Sequence, residues 1–476
     1  MVRGSAFALL VLLSACAVGP DYHAPATPAV APRNLATAHF DSAAPNPDWW
    51  QAFPDPELAR LEQRALRANL DVAESVEHVR AARAAFTEAK LEFAPHVPLE
   101  LEYQRSNEQE PGFTTDRIDI ASYTAGFDAS WELDLFGHVR RSAQVAGAQL
   151  GLQQATLADT RVSVAAEVAR NYFELRGTQR QLAVAQDNIA NQREALRLTQ
   201  IRYDAGRVTE LDVDSAQARL KATEATVPLL ESAEKRGSYR LAVLLAVTPG
   251  DLDDELATSA SAAATVPAWT DPLAVGDVSD LLRRRPDVRI AERNLAAATA
   301  QVGVATADLF PRVTVTGFIG FLTGDSAQLG AGSSRAWAVS PVLQWPALDF
   351  ASAHARLRAA RAQSAGALDA YQRAVLLALE DFENSSVNYS RQIARLSSVV
   401  DQADASRRAA RMAEIQYREG QINFLVLLDA QRTELEAEDQ VAQAETAVNT
   451  GAVAVYKALG GVPATGAVTD KLAANR

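Results

Sequence analysis

The stretch Tyr203-Asp204-Ala205-Gly206-Arg207-Val208-Thr209-Glu210-Leu211-Asp212-Val213-Asp214-Ser215-Ala216-Gln217 is written a second time in this chain. It returns as Tyr417-Arg418-Glu419-Gly420-Gln421-Ile422-Asn423-Phe424-Leu425-Val426-Leu427-Leu428-Asp429-Ala430-Gln431. Tyr, Gly, Leu, Ala and Gln are kept, and Val208 and Val213 become Ile422 and Leu427, each pair 214 positions apart. Trp131 with Trp345 and Phe136 with Phe350 keep that offset, while Asp71-Val72 and Pro95 recur 216 positions on as Asp287-Val288 and Pro311. A duplication this long predicts two similar structural units and a quasi-symmetric architecture. Within each copy the glycine stands where a helix C-cap needs it, and Thr209 or Asn423 three residues later fits the N-cap of a returning helix. Each copy therefore reads as a helix hairpin with a tight tip.

Upstream of each tip the chain reads as one very long helix. No proline occurs between Pro111 and Pro228, or between Pro346 and Pro463. Val168, Leu175, Leu182, Ile189, Leu196 and Tyr203 fall every seventh residue, with Phe382, Tyr389, Leu396, Ala403, Ala410 and Tyr417 as their counterparts. A sustained seven-residue period implies left-handed supercoiling against neighbouring helices. A helix from His138 to about Asp204 would be on the order of 100 Å long, the dimension of a column. His138 and His354, near the starts of the long helices, read as structural or surface residues.

Before each long helix the period changes to two. Val97, Leu99, Leu101 and Tyr103 alternate with polar residues, and Ala121 to Leu133 do the same through Tyr123, Phe127 and Trp131. In the second copy Val313, Val315, Ile319 and Phe321 form one apolar face, and Trp337, Val339, Leu343 and Trp345 another. These are four strands, at about 97–105, 118–133, 312–321 and 335–345, each with one apolar and one polar face. Their lengths suit strands that cross a bilayer at a tilt, ~9–11 residues. Glu100, Glu102, Asp128 and Glu132 then face a wet lumen. Four strands cannot close a barrel and open edges are not tolerated in lipid, so several chains must share one. The competing reading is a small soluble β-layer packed on helices.

Net charge is −13, which gives no reason to seek nucleic acid. Cys16 is the sole cysteine, which excludes an internal disulfide. No histidine pair has metal-ligand spacing, and no catalytic triad or dyad is recognisable, so neither a cofactor nor an enzyme activity is expected. The first residues read as a signal peptide, 1–15: Arg3, an apolar run from Phe7 to Leu13, then Leu13-Ser14-Ala15-Cys16. Cleavage after Ala15 would make Cys16 the first residue and the site of lipidation by acyl chains such as palmitate. An ordinary secretory signal with an incidental cysteine is the alternative. Residues 16–54 form an extended, proline-rich arm, and helix runs from near Asp55 to about Phe93, stopped by Pro95. Repeat 1 spans 55–247, a connector 248–276, repeat 2 277–460 and a flexible tail 461–476.

These features resemble the TolC-like outer membrane factors of tripartite efflux and type I secretion systems, and within them the NodT and OprM-like lipoproteins. The resemblance rests on the lipobox followed by Gly19-Pro20-Asp21-Tyr22, on Trp49-Trp50, Phe53 and Asp55-Pro56, and on Trp131-Glu132-Leu133-Asp134-Leu135-Phe136-Gly137. Arg284-Arg285-Pro286-Asp287, Leu309-Phe310-Pro311 and Leu428-Asp429-Ala430-Gln431-Arg432 complete it. It implies an α+β membrane protein. A long supercoiled α-helical barrel would join a transmembrane β-barrel completed by trimerisation. It also implies a homotrimer in the outer membrane lipid. A periplasmic adaptor and an inner-membrane pump, of the resistance-nodulation-division type, would deliver substrate to the far end. Ala17, rather than Asp, after the cysteine favours the outer membrane.

The resemblance places the periplasmic gate at the tips. Leu425, Asp429 and Arg432, spaced i, i+4 and i+7, share one helical face. Three copies would give an apolar ring and a carboxylate ring, and such rings close pores by dewetting and select by charge. Asp212 matches an acidic position at the tunnel entrance of some relatives, whereas Ser215 stands where a counterpart of Asp429 would be. Two other readings of Asp429 are a solvated outer-face residue and an intrahelical partner of Arg432. Tyr203, Gly206, Tyr417 and Gly420 are the hairpin-tip residues expected to shape the tip or meet an adaptor. The rival functions are a type I secretion duct, a pore-free lipid-anchored coiled-coil protein and a lipid-tethered periplasmic hydrolase.

Overall fold

A computed structural model describes residues 17–26, 39–46, 48–109, 115–262, 268–277 and 282–461. Cys16, the signal segment and the tail beyond 461 lie outside the described residues. The elements in chain order are β1 (Phe40–Asp41), α1 (Pro56–Ala68), α2 (Leu70–Leu91), β2 (Leu99–Glu108), β3 (Ile118–Leu133), α3 (His138–Asp204), α4 (Glu210–Glu224), α5 (Val227–Leu244), α6 (Asp253–Ala262), β4 (Leu273–Ala274), α7 (Pro286–Ala307), β5 (Arg312–Thr323), β6 (Arg335–Gln344), α8 (Phe350–Arg418) and α9 (Phe424–Ala458). Helices α3 and α8, of 67 and 69 residues, fill the two proline-free windows. Among the described residues no helix is long and apolar enough to cross a membrane. The chain divides into two compact units: Met1–Ala26, Glu77–Gln154 and Ile290–Arg373, then Thr27–Val76, Ala155–Arg289 and Ala374–Arg476.

The first unit holds a four-stranded antiparallel sheet in the order β2-β3-β5-β6. Its register places Leu99 opposite Phe127, Phe127 opposite Ile319, and Ile319 opposite Trp337. Because side chains alternate, this row and those two residues away lie on one face. Leu99, Phe127, Ile319 and Trp337 are all more than half exposed in the single chain. Two tryptophans tie the sheet to the helices before it. The indole Nε1 of Trp131 donates to the Phe93 carbonyl at 3.0 Å, and that of Trp345 to the Leu309 carbonyl at 3.2 Å.

The second unit is helical and built around aromatic contacts. Trp49 stacks on Tyr456 at 5.2 Å, and Phe53 lies 4.9 Å from Phe173 and 5.3 Å from Trp269. The end of the proline-rich arm is thus core, since burying each such ring contributes on the order of 1.5–3 kcal/mol. Farther back, β1 pairs in parallel with β4 of the connector. The seven-residue stripe of α8 is buried throughout, from Phe382 to Tyr417, whereas that of α3 ends on an exposed Tyr203.

The single helix expected over 55–93 is two helices, broken at Asn69. The Asn69 side chain accepts from the Asp71 and Val72 amides and donates to the Leu244 carbonyl at 3.0 Å. Asparagine that bonds backbone locally competes with the helix and starts a new one. Elsewhere in the unit, Arg285 makes a two-pronged pair with Asp287 at 3.0 and 2.8 Å. It also reaches Asp381 and donates to the Ala458 carbonyl at 2.7 Å, closing the end of α9.

Candidate functional site

Both helix tips turn by the same backbone device. Gly206 (φ +69°) and Gly420 (φ +73°) occupy the left-handed region. The Gly206 amide donates to the Tyr203 carbonyl and the Arg207 amide to the Arg202 carbonyl, both at 2.8 Å. Gly420 to Tyr417 and Gln421 to Gln416 repeat this at 3.0 and 2.8 Å. These are the paired bonds of a Schellman cap, which satisfy the last carbonyls of α3 and α8. Space around both glycines is open, so conformation alone demands them. The returning helices are capped by Asn423, which accepts from the Val426 amide at 3.1 Å, and by Thr209 with Asp212. The Asp212 carboxylate accepts from the Thr209 amide at 2.9 Å and its hydroxyl at 2.8 Å, so here it serves the turn.

The two tips are packed unequally. Tyr417, Phe424 and Leu427 are buried with Ala216 and Ala413 in one cluster, and the Tyr417 and Phe424 rings are 5.4 Å apart. At the first tip Glu210 stands where Phe424 would be, and Leu211 and Tyr203 are exposed. Arg202 adds a polar link between the tips: it donates to the Tyr417 carbonyl at 3.0 Å and the Arg418 carbonyl at 3.1 Å. Its guanidinium lies 4.2 Å from the Tyr417 ring centre. Arg202 was not a sequence candidate. Its only signal is a break in the repeat, since its counterpart is Gln416.

Leu425 is half exposed at the start of α9. Arg432 donates to Asp429 at 2.8 Å and to Glu436 at 3.0 Å, so in the single chain the carboxylate of Asp429 is matched within its own helix. The hydrogen bonds to Asp429 and Glu436 hold the Arg432 guanidinium in its charged form. Beside this face, α3, α8 and α9 enclose a polar groove of about 750 Å³ whose walls include Gln192, Arg202, Arg411, Glu414 and Glu434. Burial, with Glu438 nearby, raises the Glu434 carboxyl, while Arg407 and Arg411 oppose it. The oxygens Gln192 Oε1, Gln431 Oε1 and Tyr417 Oη are buried there without a partner among the described residues. Such atoms are satisfied by ordered water. Cys16, the candidate lipidation site, lies outside the described residues.

The family profile for outer membrane efflux proteins matches residues 61–247 and 278–461. Nodulation protein T of Rhizobium leguminosarum bv. trifolii is 30% identical over 423 residues, 89% of this chain and 89% of that one. The pyoverdine export outer membrane protein OpmQ of Pseudomonas putida is 31% identical over 433 residues, 89% of this chain and 90% of that one. Among solved structures, the outer-membrane channel OprN superposes with a TM-score of 0.88 at 44% identity, over 94% of this chain and 99% of that chain.

Proposed function

Because the chain belongs to the outer membrane efflux protein family, we propose that it is the outer membrane channel of a tripartite efflux system. It is a passive duct for small molecules, and passage through it requires no reaction. The observation that carries this reading is the sheet. Its four strands present one continuous apolar face, from Leu99 through Phe127 and Ile319 to Trp337, and leave β2 and β6 as edges. Edges are not tolerated in lipid, and four strands are too few to close. Three chains supply a twelve-stranded barrel. The matching Trp131–Phe93 and Trp345–Leu309 bonds support an origin of the two hairpins in a tandem repeat.

In this reading Cys16 is acylated after removal of residues 1–15, α3 and α8 with their neighbours line a periplasmic tunnel, and the tips close its far end. Leu425 forms the apolar ring, Asp429 with Arg432 the charged one, and Asp212 the rim. An adaptor meets the tips near Tyr203, Gly206, Tyr417 and Gly420. An inner-membrane pump of the resistance-nodulation-division type delivers the cargo. Export names among the relatives, such as pyoverdine export for OpmQ and toluene efflux for TtgC of Pseudomonas putida, support this class.

Native mass spectrometry of the detergent-extracted protein, with planar-bilayer recording of the same sample, tests the proposal. A trimer that forms a discrete channel is expected. A folded monomer as the dominant species defeats it.

A further inference from the structure

Residues 17 to 22 lie in a closely fitted seat between the start of α3 and α7, all within the first unit. Glycines make the close approach possible. A Cβ on Gly137 would stand 2.9 Å from the Ala17 Cα, and one on Gly19 (φ +91°) would stand 2.7 Å from the Gly303 Cα. One on Gly303 would stand 2.7 Å from the Arg141 Cδ. Real side chains do not fit at such distances, so backbone meets backbone at Gly137 and Gly19, and the Arg141 side chain lies directly on Gly303.

Arg141 is the centre of the seat. Its side chain is 2% exposed. The Nε donates to the Val18 carbonyl at 3.1 Å and Nη2 to the Gly19 carbonyl at 3.2 Å. The Nη1 donates to Asp21 Oδ1 at 2.8 Å and to Gln144 Oε1 at 2.9 Å. Three of these four acceptors belong to the segment 17–22. Without it, a buried guanidinium would lose most of its partners, a situation proteins avoid because an uncompensated buried charge is strongly destabilising. Two further contacts hold the ends. The Val18 amide donates to the Phe136 carbonyl at 3.1 Å, and the Tyr22 hydroxyl donates to Glu292 at 2.5 Å. Arg293 holds Glu292 in turn.

We infer that Arg141 is the positioning residue for the N-terminal lipid anchor: its seat fixes where the acylated end of the chain leaves the protein. This rests on the reading that Cys16 is acylated. Ala17 is pinned at Gly137, four residues after β3 ends at Leu133. The Cα of the residue one position upstream, which would carry the acyl group, is thereby tethered about 3.8 Å from the Ala17 Cα, at the helix-side end of the strands. Six unseated residues would let the anchor wander by roughly 20 Å. The seat puts lipid and sheet end in one register, so the acyl chains enter the bilayer where the barrel wall stops.

The test uses the full-length acylated protein in nanodiscs of phosphatidylethanolamine and phosphatidylglycerol, grown with a clickable, photo-crosslinking fatty acid. Arg141→Ala removes the centre of the seat, Gly19→Val opposes it from the arm side, and Arg141→Lys keeps the charge without the fork. In the wild type, photo-crosslinks should concentrate on peptides bearing Trp131 to Val139, and the Val18 amide, bonded to the Phe136 carbonyl, should be protected from hydrogen exchange. In Arg141→Ala and Gly19→Val, exchange of that amide should quicken by about tenfold or more and the crosslinks should disperse, with total fatty-acid label unchanged. Arg141→Lys should recover part of the protection. If Arg141→Ala yields no folded trimer, Gly19→Val decides. Unchanged protection and an unchanged crosslink map in Gly19→Val overturn the proposal. So does a wild type whose Val18 amide exchanges like that of an unstructured peptide. Wild-type protein with no fatty-acid label sinks the acylation reading, and the anchor role with it, whatever exchange shows of the seat.

Discussion

Arg202, at the end of α3, stacks over the ring of Tyr417, at the end of α8, and donates to the carbonyls of Tyr417 and Arg418 at 3.0 and 3.1 Å. One guanidinium thus helps satisfy the C-terminal carbonyls of a helix that ends more than two hundred residues later. Charged hydrogen bonds of this kind are worth about 1.5–3 kcal/mol each, and stacking adds roughly 0.5–2 kcal/mol. Arg202→Ala should therefore lower the local opening free energy of the second tip by about 2 kcal/mol. Hydrogen exchange at residues 417–424 should rise some thirtyfold with no change at the sheet. Arg202→Lys should rescue little, because a single ammonium cannot reproduce a fork that also stacks. Equal exchange in wild type and Arg202→Ala would show that the cluster around Phe424 holds the tip unaided.

The gate assignment makes a signed prediction. Arg432 neutralises Asp429 within its own helix, so the two should act in opposite directions on cation block. Asp429→Asn should weaken block by divalent cations, and Arg432→Gln, which frees the carboxylate, should strengthen it several-fold. Leu425→Ala should raise resting conductance by loosening the apolar closure. None of the three should dissolve the trimer, since all lie on an exposed helix face. Planar-bilayer recording reads all three, and conductance and block that ignore every substitution would place the constriction elsewhere.

Gly206 and Gly420 differ from most glycines of the chain in that nothing crowds them. Alanine there pays only for the left-handed backbone, about 1 kcal/mol, and asparagine less. Gly420→Ala should lower the thermal midpoint by a degree or two, and Gly420→Asn should recover most of it. A loss of several kcal/mol in either variant would point to a partner pressing on the tip.

Glu62 is fully buried on the same stripe of α1 as Leu58, Leu61 and Ala65, and burial raises its carboxyl well above the usual range, with the Ala169 backbone opposing. A carboxyl raised in the folded state binds its proton more tightly there than in the unfolded chain. Stability is therefore full below the unfolded pKa, near 4.3, and falls as pH rises from there toward the folded value. Glu62→Gln keeps the shape without that ionisation, so the variant should gain on wild type as pH rises to 8 and show a flatter pH profile. Chemical denaturation at pH 5 and pH 8 checks it. A Gln variant that is less stable at both would mean the carboxylate is charged and solvated by water.

The long helices, the strands and the tips were legible because each is written in local pattern. A glycine before Thr209 or Asn423, a period of seven between distant prolines, and a period of two ending at Trp131 or Trp345 each report one element's own backbone and faces. The division of α1 from α2 was not legible, because the Asn69 side chain finds its decisive partner in Leu244, 175 residues away. Nor was the packing of Trp49 on Tyr456, which turned the end of a proline-rich arm into core.

The sequence by itself carried the local pattern of the long helices, the sheet strands and the tight tips. Only the tertiary structure decided that the two tips are unequal. It buries Tyr417 and exposes Tyr203, and gives Arg202 and Arg141 their partners. The reason is physical. Periodicity records which way a side chain faces along its own element, whereas burial and hydrogen bonding depend on what another part of the chain brings to that face.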